Sequence, residues 1–353
     1  MHNLLGYDRP ALARFFERRG QKPYRAAQVF RRLHRGQTPP QIYADLPKPL
    51  RAELEADSAC PQMPVAADST AADGTRKWLF DAGDARIETV LIPETSRQTL
   101  CISSQAGCAL ACRFCLTGKQ GFSRNLSAAE IIGQLWQANM LQDRPITNVV
   151  MMGMGEPLLN LDAVLPALAI MTDARGYALA PRRVTVSTAG IVPAMARLAE
   201  AANVSLAVSL HAPSDELRDD LMPINRKYPL RALMEACRRH IKLRPRAFIT
   251  FEYVMLGGVN DGEDCARGLI RLLGSVRCKV NLIPFNSFPG APYTPSPPEK
   301  ISAFRAALVA GGMTATIRKT RGDDILAACG QLAGDIKART TGLAGREIPV
   351  VKI

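Results

Sequence analysis

The chain has 353 residues, 47% hydrophobic and 22% charged, the balance of an ordinary soluble globular protein long enough to bury a large core. Its 45 lysines and arginines exceed its 32 aspartates and glutamates, a net charge of +13 that points to a polyanionic partner, most simply nucleic acid. The plainer alternative is a basic surface kept for solubility. No run approaches the roughly 18 consecutive apolar residues of a membrane helix, so no membrane partner is expected. The opening MHNLLGYDRPALARFF lacks the basic-then-apolar layout of a signal peptide, and the expected location is cytoplasmic. Nine cysteines, four of them crowded into 101–115, fit reduced thiols with local metal chemistry better than a disulfide framework.

Residues 10–58 read as helices. ALARFFERRG (11–20) sets Leu12, Phe15 and Phe16 on one stripe, and YRAAQVFRRLHRG (24–36) does the same with Val29, Phe30 and Leu33 among arginines. Such basic helices suit a small RNA-contacting module, or equally a helical lid with solvated arginines. TRKWLFDAGDARIETVLIP (75–93) predicts an antiparallel hairpin about AGDA. From residue 99 strands and helices alternate. Strands are predicted at 99–104, 148–152, 183–187, 205–210, 249–256 and 279–285, and TATIRK (314–319) offers an edge strand. Alternation of this kind implies a mostly parallel sheet with its active-site loops at the C-terminal strand ends. Six units fall short of eight, which predicts an open partial barrel. The expected domains are a helical accessory module with linker (1–74), a hairpin extension (75–98), the barrel core (99–320) and a C-terminal loop with tail (321–353). The last twenty or so residues are expected to be loosely ordered.

The chemistry sits in the strand-end loops. Cys108, Cys112 and Cys115 have the spacing C-x3-C-x2-C directly after the first core strand. Structural zinc takes four ligands, and the nearest histidine in sequence, His34, is remote. A [4Fe–4S] cluster held by three thiolates keeps one iron open to an external ligand, which is the better reading. MMGMGEP (151–157) places Gly153 and Gly155 at a strand end, where backbone can approach a ligand, followed by the Glu156 carboxylate. Ser187 in STAG, Ser209, Leu210 and His211 in SLHAP, and Asn286 in PFN also stand at strand ends. Hydroxyl, imidazole and amide groups there suit a ribose and a carboxylate. His211 alone reads equally as a satisfied buried histidine. Cys329, in a glycine-flanked turn, reads locally as a small buried hydrophobe. Cys60, Cys237, Cys265 and Cys278 carry no motif and read as structural.

The triplet after the first strand of a six-unit barrel resembles the radical S-adenosylmethionine (SAM) enzymes. SSQAGCALACRFC, GMGEPLLN, VTVSTAGIVP, SLHAPSDELRD, LMPIN, NLIPFN, PGAPY and RKTRGDDI with ACGQLAGD together resemble the RlmN/Cfr group of radical SAM methyltransferases, from about residue 75 to 336. Members of that group methylate an adenine carbon in RNA. The resemblance implies a partial (β/α)6 radical SAM barrel carrying one [4Fe–4S] cluster on Cys108, Cys112 and Cys115, with SAM on the fourth iron and two SAM consumed per turnover. It assigns SAM contacts to Gly155, Glu156, Ser187, Ser209, Leu210, His211 and Asn286.

C2 and C8 of adenine are electron-poor amidine-type carbons that cannot attack a methyl sulfonium, so radical chemistry is needed. By the same resemblance Cys329 becomes an S-methylcysteine, and a 5′-deoxyadenosyl radical takes a hydrogen from its methyl group. The methylene then bonds the adenine carbon. Glu88 accepts the ring proton, and Cys101 resolves the protein–RNA crosslink by forming a transient disulfide with Cys329. IPFNSFPGAPY and RKTRGDD resemble the pattern of the members that methylate C2 of adenosine 2503 in 23S rRNA and of adenosine 37 in tRNAs. The relatives that methylate C8 are the alternative. Leu116, where a smaller residue is common in the family, is the one departure. An external reductant such as flavodoxin with its reductase, and a monomeric state, complete what is implied. A non-catalytic Fe–S protein that only binds RNA would need neither Cys101 nor Cys329.

Overall fold

The computed structural model describes residues 1–38 and 41–335, and the tail expected to be loosely ordered lies outside the described residues. The body is built on one ten-stranded sheet whose spatial order is the chain order. Its strands are β1 (Val65–Thr70), β2 (Arg76–Asp81), β3 (Arg86–Pro93), β4 (Gln98–Cys101), β5 (Asn148–Met151), β6 (Val184–Thr188), β7 (Ser205–Ser209), β8 (Ile249–Met255), β9 (Cys278–Pro284) and β10 (Ala315–Ile317). β1 to β4 pair antiparallel, and β4 to β10 pair parallel. The fold is therefore α/β with a central parallel sheet, a partial barrel.

Helices make each parallel crossover. α5 (Ala128–Met140) joins β4 to β5, α6 (Leu161–Thr172) joins β5 to β6, and α7 (Val192–Ala201) joins β6 to β7. α8 (Asp215–Leu221) and α9 (Leu230–Leu243) follow β7, α10 (Glu263–Leu273) follows β8, and α11 (Pro298–Ala310) follows β9. Period-two alternation assigns each strand two faces. Leu100, Val149, Val186, Leu206, Val208, Phe251, Tyr253 and Leu282 are buried. This face is the helix-covered one, with the Tyr253 ring stacked on Phe304 of α11 at 5.4 Å. The intervening residues, among them Thr99, Asn148, Thr185, Ser205, Thr250, Asn281 and Thr316, line a cavity of about 550 Å³ on the concave side. In a closed barrel of eight units side chains fill that space; here it stays open.

Before the sheet stand α1 (Arg9–Glu17), α2 (Pro23–Leu33) and α3 (Lys48–Asp57). Asp8 caps α1 by accepting from the Ala11 N–H at 2.8 Å. The apolar stripes read from the sequence, Leu12, Phe15, Phe16, Val29, Phe30 and Leu33, are all buried. This module is seated on the body. Trp136 donates its indole N–H to the Leu33 carbonyl at 3.1 Å, and a Cβ on Gly6 would lie 2.7 Å from the Ala129 nitrogen.

The hairpin at 75–93 forms as β2 and β3, but it belongs to the main sheet and gains β1 from the stretch read as linker. VAADST is exposed along nearly its whole length. An outer edge strand needs no apolar face, so it sends no periodic signal. Among the described residues, no helix is long and apolar enough to cross a membrane.

At the seam between module and body His34 is buried, its two ring nitrogens without hydrogen-bond partners, its ring 5.4 Å from that of Tyr177. Burial lowers it to about 3, partly opposed by Asp173. The unfolded chain binds this proton near 6.5, so the folded state loses stability as pH falls below 6.5 and goes on losing it down to about 3. At pH 5 the loss from this group is about 2 kcal/mol. Melting temperature measured from pH 7 to pH 5 should therefore fall less steeply in His34→Leu than in the wild type; parallel curves would remove His34 as the cause.

Candidate active site

β4 ends at Cys101, and the chain turns into a short ladder of Gln105–Gly107 with Phe122–Asn125. The three-cysteine loop hangs between these segments. It is shaped by its own backbone: Cys108 N–H donates to the Gly121 carbonyl at 2.7 Å and Cys115 N–H to the Cys112 carbonyl at 3.2 Å. A Cβ on Gly118 would lie 3.0 Å from the Cys112 nitrogen, so the short helix α4 (Leu116–Gln120) that closes this loop could approach no closer with any larger residue there.

Cys108, Cys112 and Cys115 line one cavity of about 170 Å³ together with Gly155, Glu156, Ser187, Ser209, His211 and Cys329. Burial raises all three thiols, Cys108 to about 12 and Cys112 well above the usual value. Left alone they are neutral, and bound iron is what draws off their protons. Among the described residues no three His, Cys, Asp or Glu side chains gather about a point that suits a single metal ion. Three soft donors distributed along one cavity wall fit a cluster instead, since each cysteine then serves a different iron.

The glycines of MMGMGEP meet protein. A Cβ on Gly153 would come within 2.7 Å of the Ile102 carbonyl, and one on Gly155, whose φ is +95°, within 2.4 Å of the Gln105 Cβ. Both positions let the end of β5 press against the segment leading to the cysteines. Glu156 follows, buried, accepting from the Leu158 N–H at 3.0 Å and the Ala189 N–H at 2.7 Å. Burial raises it to about 7 against those hydrogen bonds. A ligand ammonium group would restore its charge. His211 has φ +60°, accepts from the Val254 N–H at 2.9 Å through Nδ1, and is lowered by burial to about 3, a neutral imidazole. Its ring is buried with Nδ1 engaged, and it lines the cavity.

Cys329 arrives on an irregular segment. Gly322 and Leu326 are both left-handed, and the Ala327 N–H closes a turn on the Gly322 carbonyl at 2.8 Å. Asn286 donates through Nδ2 to the Cys329 carbonyl at 3.1 Å and accepts from the Thr320 hydroxyl at 3.1 Å. Cys329 lines the smaller cavity and the 550 Å³ lumen alike, whereas Cys101 and Asn286 line the lumen only. Cys101 is pushed up to about 12, first by burial and then by Cys329, with Arg318 opposing. All nine cysteines are free, so no disulfide joins this pair.

Two of the residues singled out in the sequence line neither cavity. Leu210 is buried, its N–H on the Glu252 carbonyl at 3.0 Å. Glu88 is buried in β3 and engaged by Lys77 at 2.9 Å and by the Ala333 N–H at 2.7 Å.

The structure adds residues that sequence reasoning missed. Arg218 of α8 is fully buried and donates to the carbonyls of Ala189, Ser209 and Leu210 and to Asn225 Oδ1 at 2.7–3.1 Å. It lashes together the ends of β6 and β7 that carry the polar cavity wall. Arg318 and Glu252 line both cavities, with Glu252 accepting from Asn281 Nδ2 at 2.8 Å. SLHAPSDELRD contains Arg218, but backbone carbonyls, two in that stretch and one at Ala189, leave no local mark.

Residues 102–267 match the radical SAM superfamily, and residues 2–59 match the ribosomal RNA large subunit methyltransferase N-terminal domain. The chain is similar to a radical SAM methyltransferase from Sphaerobacter thermophilus of known crystal structure. Identity is 42% and the TM-score 0.87, with 94% of this chain and 99% of that chain covered. A more distant likeness is to Streptococcus suis SuiB bound to S-adenosylmethionine, at 11% identity and a TM-score of 0.47, covering 64% of this chain and 52% of that one.

Arg218→Met should strand the three carbonyls and cost about 3 kcal/mol or more, read by denaturant unfolding. Arg239→Met on the exposed face of α9 should stay within about 0.5 kcal/mol of wild type. Equal stabilities would contradict the role given to Arg218.

Proposed function

This chain belongs to the radical SAM methyltransferases of the RlmN family, and we propose that it methylates C2 of adenosine 2503 in 23S rRNA and of adenosine 37 in tRNAs. The observation that carries the reading is the position of Cys329, which faces the thiol-lined cavity on one side and the lumen on the other. A methyl carrier needs both exposures.

The family implies a [4Fe–4S] cluster and SAM. Cys108, Cys112 and Cys115 would hold the cluster, with SAM against Gly155, Glu156, Ser187, Ser209 and His211. Leu210 and Asn286 would contribute through the neighbouring backbone and the loop that carries Cys329. When bound, these groups supply a methyl group, an electron and a 5′-deoxyadenosyl radical.

The remaining work falls to the protein. The Cys329 sulfur loses its proton and takes a methyl group by displacement. After loss of one hydrogen atom to the 5′-deoxyadenosyl radical, that carbon bonds C2 of the adenine in the lumen, and the unpaired electron of the adduct would return to the oxidised cluster that Cys108, Cys112 and Cys115 would hold. Glu88 is the acceptor proposed for the C2 proton; it lies behind the lumen wall, engaged by Lys77 and the Ala333 N–H. The Cys101 thiolate then attacks the Cys329 sulfur. The S–S bond forms as the S–CH2 bond breaks, and the electron pair passes to the departing carbon, which becomes methyl on protonation. Two further electrons from an external reductant of the flavodoxin type reopen the disulfide. The enzyme acts as a cytoplasmic monomer.

Anaerobic reconstitution followed by nucleoside digestion of treated rRNA and tRNA should give 2-methyladenosine; 8-methyladenosine would overturn the C2 assignment. Cys329→Ala should abolish methylation. Cys101→Ala should accumulate RNA covalently attached to protein, visible as a shifted band on a denaturing gel. Normal turnover by Cys101→Ala would remove it from the cycle.

A further inference from the structure

The lumen is open at the end away from the thiol-lined cavity. Its walls run from Cys329 down to Arg97, Arg182, Phe248 and Lys279, which stand at or just before the N-terminal ends of β4, β6, β8 and β9. From Phe248 to Glu252 along β8 is about 13 Å at 3.3 Å per residue.

This end of the barrel is strongly basic. The loops feeding it are rich in arginine: Arg144 before β5, Arg182 and Arg183 before β6, Arg246 before β8 and Arg277 before β9, all exposed. The acidic residues of the same loops are few. Glu94 is paired with Arg97 at 2.7 Å, Asp173 is paired with Arg9 at 2.5 Å, and Asp143 is exposed beside Arg144. Amid these cations Phe248 is 49% exposed, with the Lys279 ammonium 4.9 Å from its ring centroid. An exposed aromatic ring set among cations at a cavity mouth suits a base that stacks while neighbouring phosphates are neutralised. A volume of about 550 Å³ lies within the range of roughly 300–1,000 Å³ typical of single-ligand pockets, room enough for one extruded nucleotide.

We propose that RNA presents its target nucleotide through this mouth, with Phe248 stacking on a base and Arg182 and Lys279 on the adjoining phosphates. The inference rests on the RNA-methylating reading and names where that RNA binds. Access from this side follows from the division of the interior. The smaller cavity at the C-terminal strand ends is walled by the cysteine triplet and Glu156, so a base reaching Cys329 comes from the opposite side. The polar residues of the lumen wall, such as Asn148, Thr250 and Asn281, would then face the edge of the base.

The test is binding of a fluorescent RNA hairpin with an unpaired loop adenosine across a salt series. Phe248→Ala should weaken binding roughly tenfold, and Phe248→Trp should restore it. Arg182→Ala with Lys279→Ala should reduce the slope of log K against log salt by roughly one for each cation removed. Arg271→Ala on the outer face of α10 should leave affinity and slope unchanged. The mouth is overturned if wild type binds while these variants match it, or if only Lys319→Ala and Arg321→Ala, on the lumen wall just after β10, weaken binding. A wild type that binds and methylates no RNA would overturn the function itself, a result distinct from the other two.

Discussion

A parallel strand buried on both faces must be apolar throughout, and this protein depends on not obeying that requirement. From β4 to β10 the outward residues are mostly the usual Leu, Val, Ile and Phe beneath helices, while the inward ones are mostly Thr, Asn, Ser and Ala around open space, with Val150 and Ile283 the larger apolar members. SLAVS in β7 shows the division in five residues: Leu206 and Val208 are buried, and Ser205 and Ala207 line the lumen. Large apolar residues at those inward positions would pack the interior and leave no place for a substrate. Hydrophobic burial therefore operates on the outer layer, and the chemistry occupies the inner one.

Keeping the interior open creates a second need, because a reactive group must be brought into a space no strand fills. The segment after β10 does this, held by hydrogen bonds alongside the buried side chains of Ala327, Ala328 and Leu332. Leu116 N–H donates to the Gly330 carbonyl at 2.8 Å, the Thr117 hydroxyl to Leu332, Gln120 to Gly334 and the Arg86 N–H to Asp335. Three of those donors lie directly after the cysteine triplet. The loop that gathers the thiols thus also fixes the segment carrying Cys329, and neither can move far alone. Leu116 contributes through its backbone N–H, which any residue but proline would offer.

Much of this was legible in the sequence for reasons that can be named. The strand-and-helix alternation came through because six of the strands carry β-branched runs, and the triplet because three thiols at fixed spacing have few other uses. β1 sent no signal, being an exposed edge. Pairings across the chain were invisible to pattern alone: Cys101 and Cys329 came together only through resemblance, since neither has a local feature that points to the other. Arg218 stayed hidden for the related reason that its partners are backbone carbonyls, which every residue has. Glu88 was placed in its strand correctly, yet its contacts with Lys77 and the Ala333 N–H needed the C-terminal segment to be in position. Phe248 falls just outside the strand predicted at 249–256, and nothing local marks it until the fold sets it on the lumen wall.

The charges inside the lumen bear on the order of events in the proposed cycle. Cys101 is held up to about 12 by burial and by Cys329, with Arg318 pulling the other way. Arg318 in turn is raised by Cys329 first, then by Glu252 and Cys101, against its own burial. While both sulfurs are free thiols, they compete for one guanidinium, and ionising either discourages the other. Once the Cys329 sulfur carries carbon it can bear no negative charge as a thioether. Its repulsion of a Cys101 thiolate disappears, and Arg318 becomes available to Cys101 alone. The resolving thiol is thus the poorer nucleophile while Cys329 is a free thiol and the better one from the moment that sulfur is methylated, so the change that starts the proposed cycle also prepares the thiol that ends it.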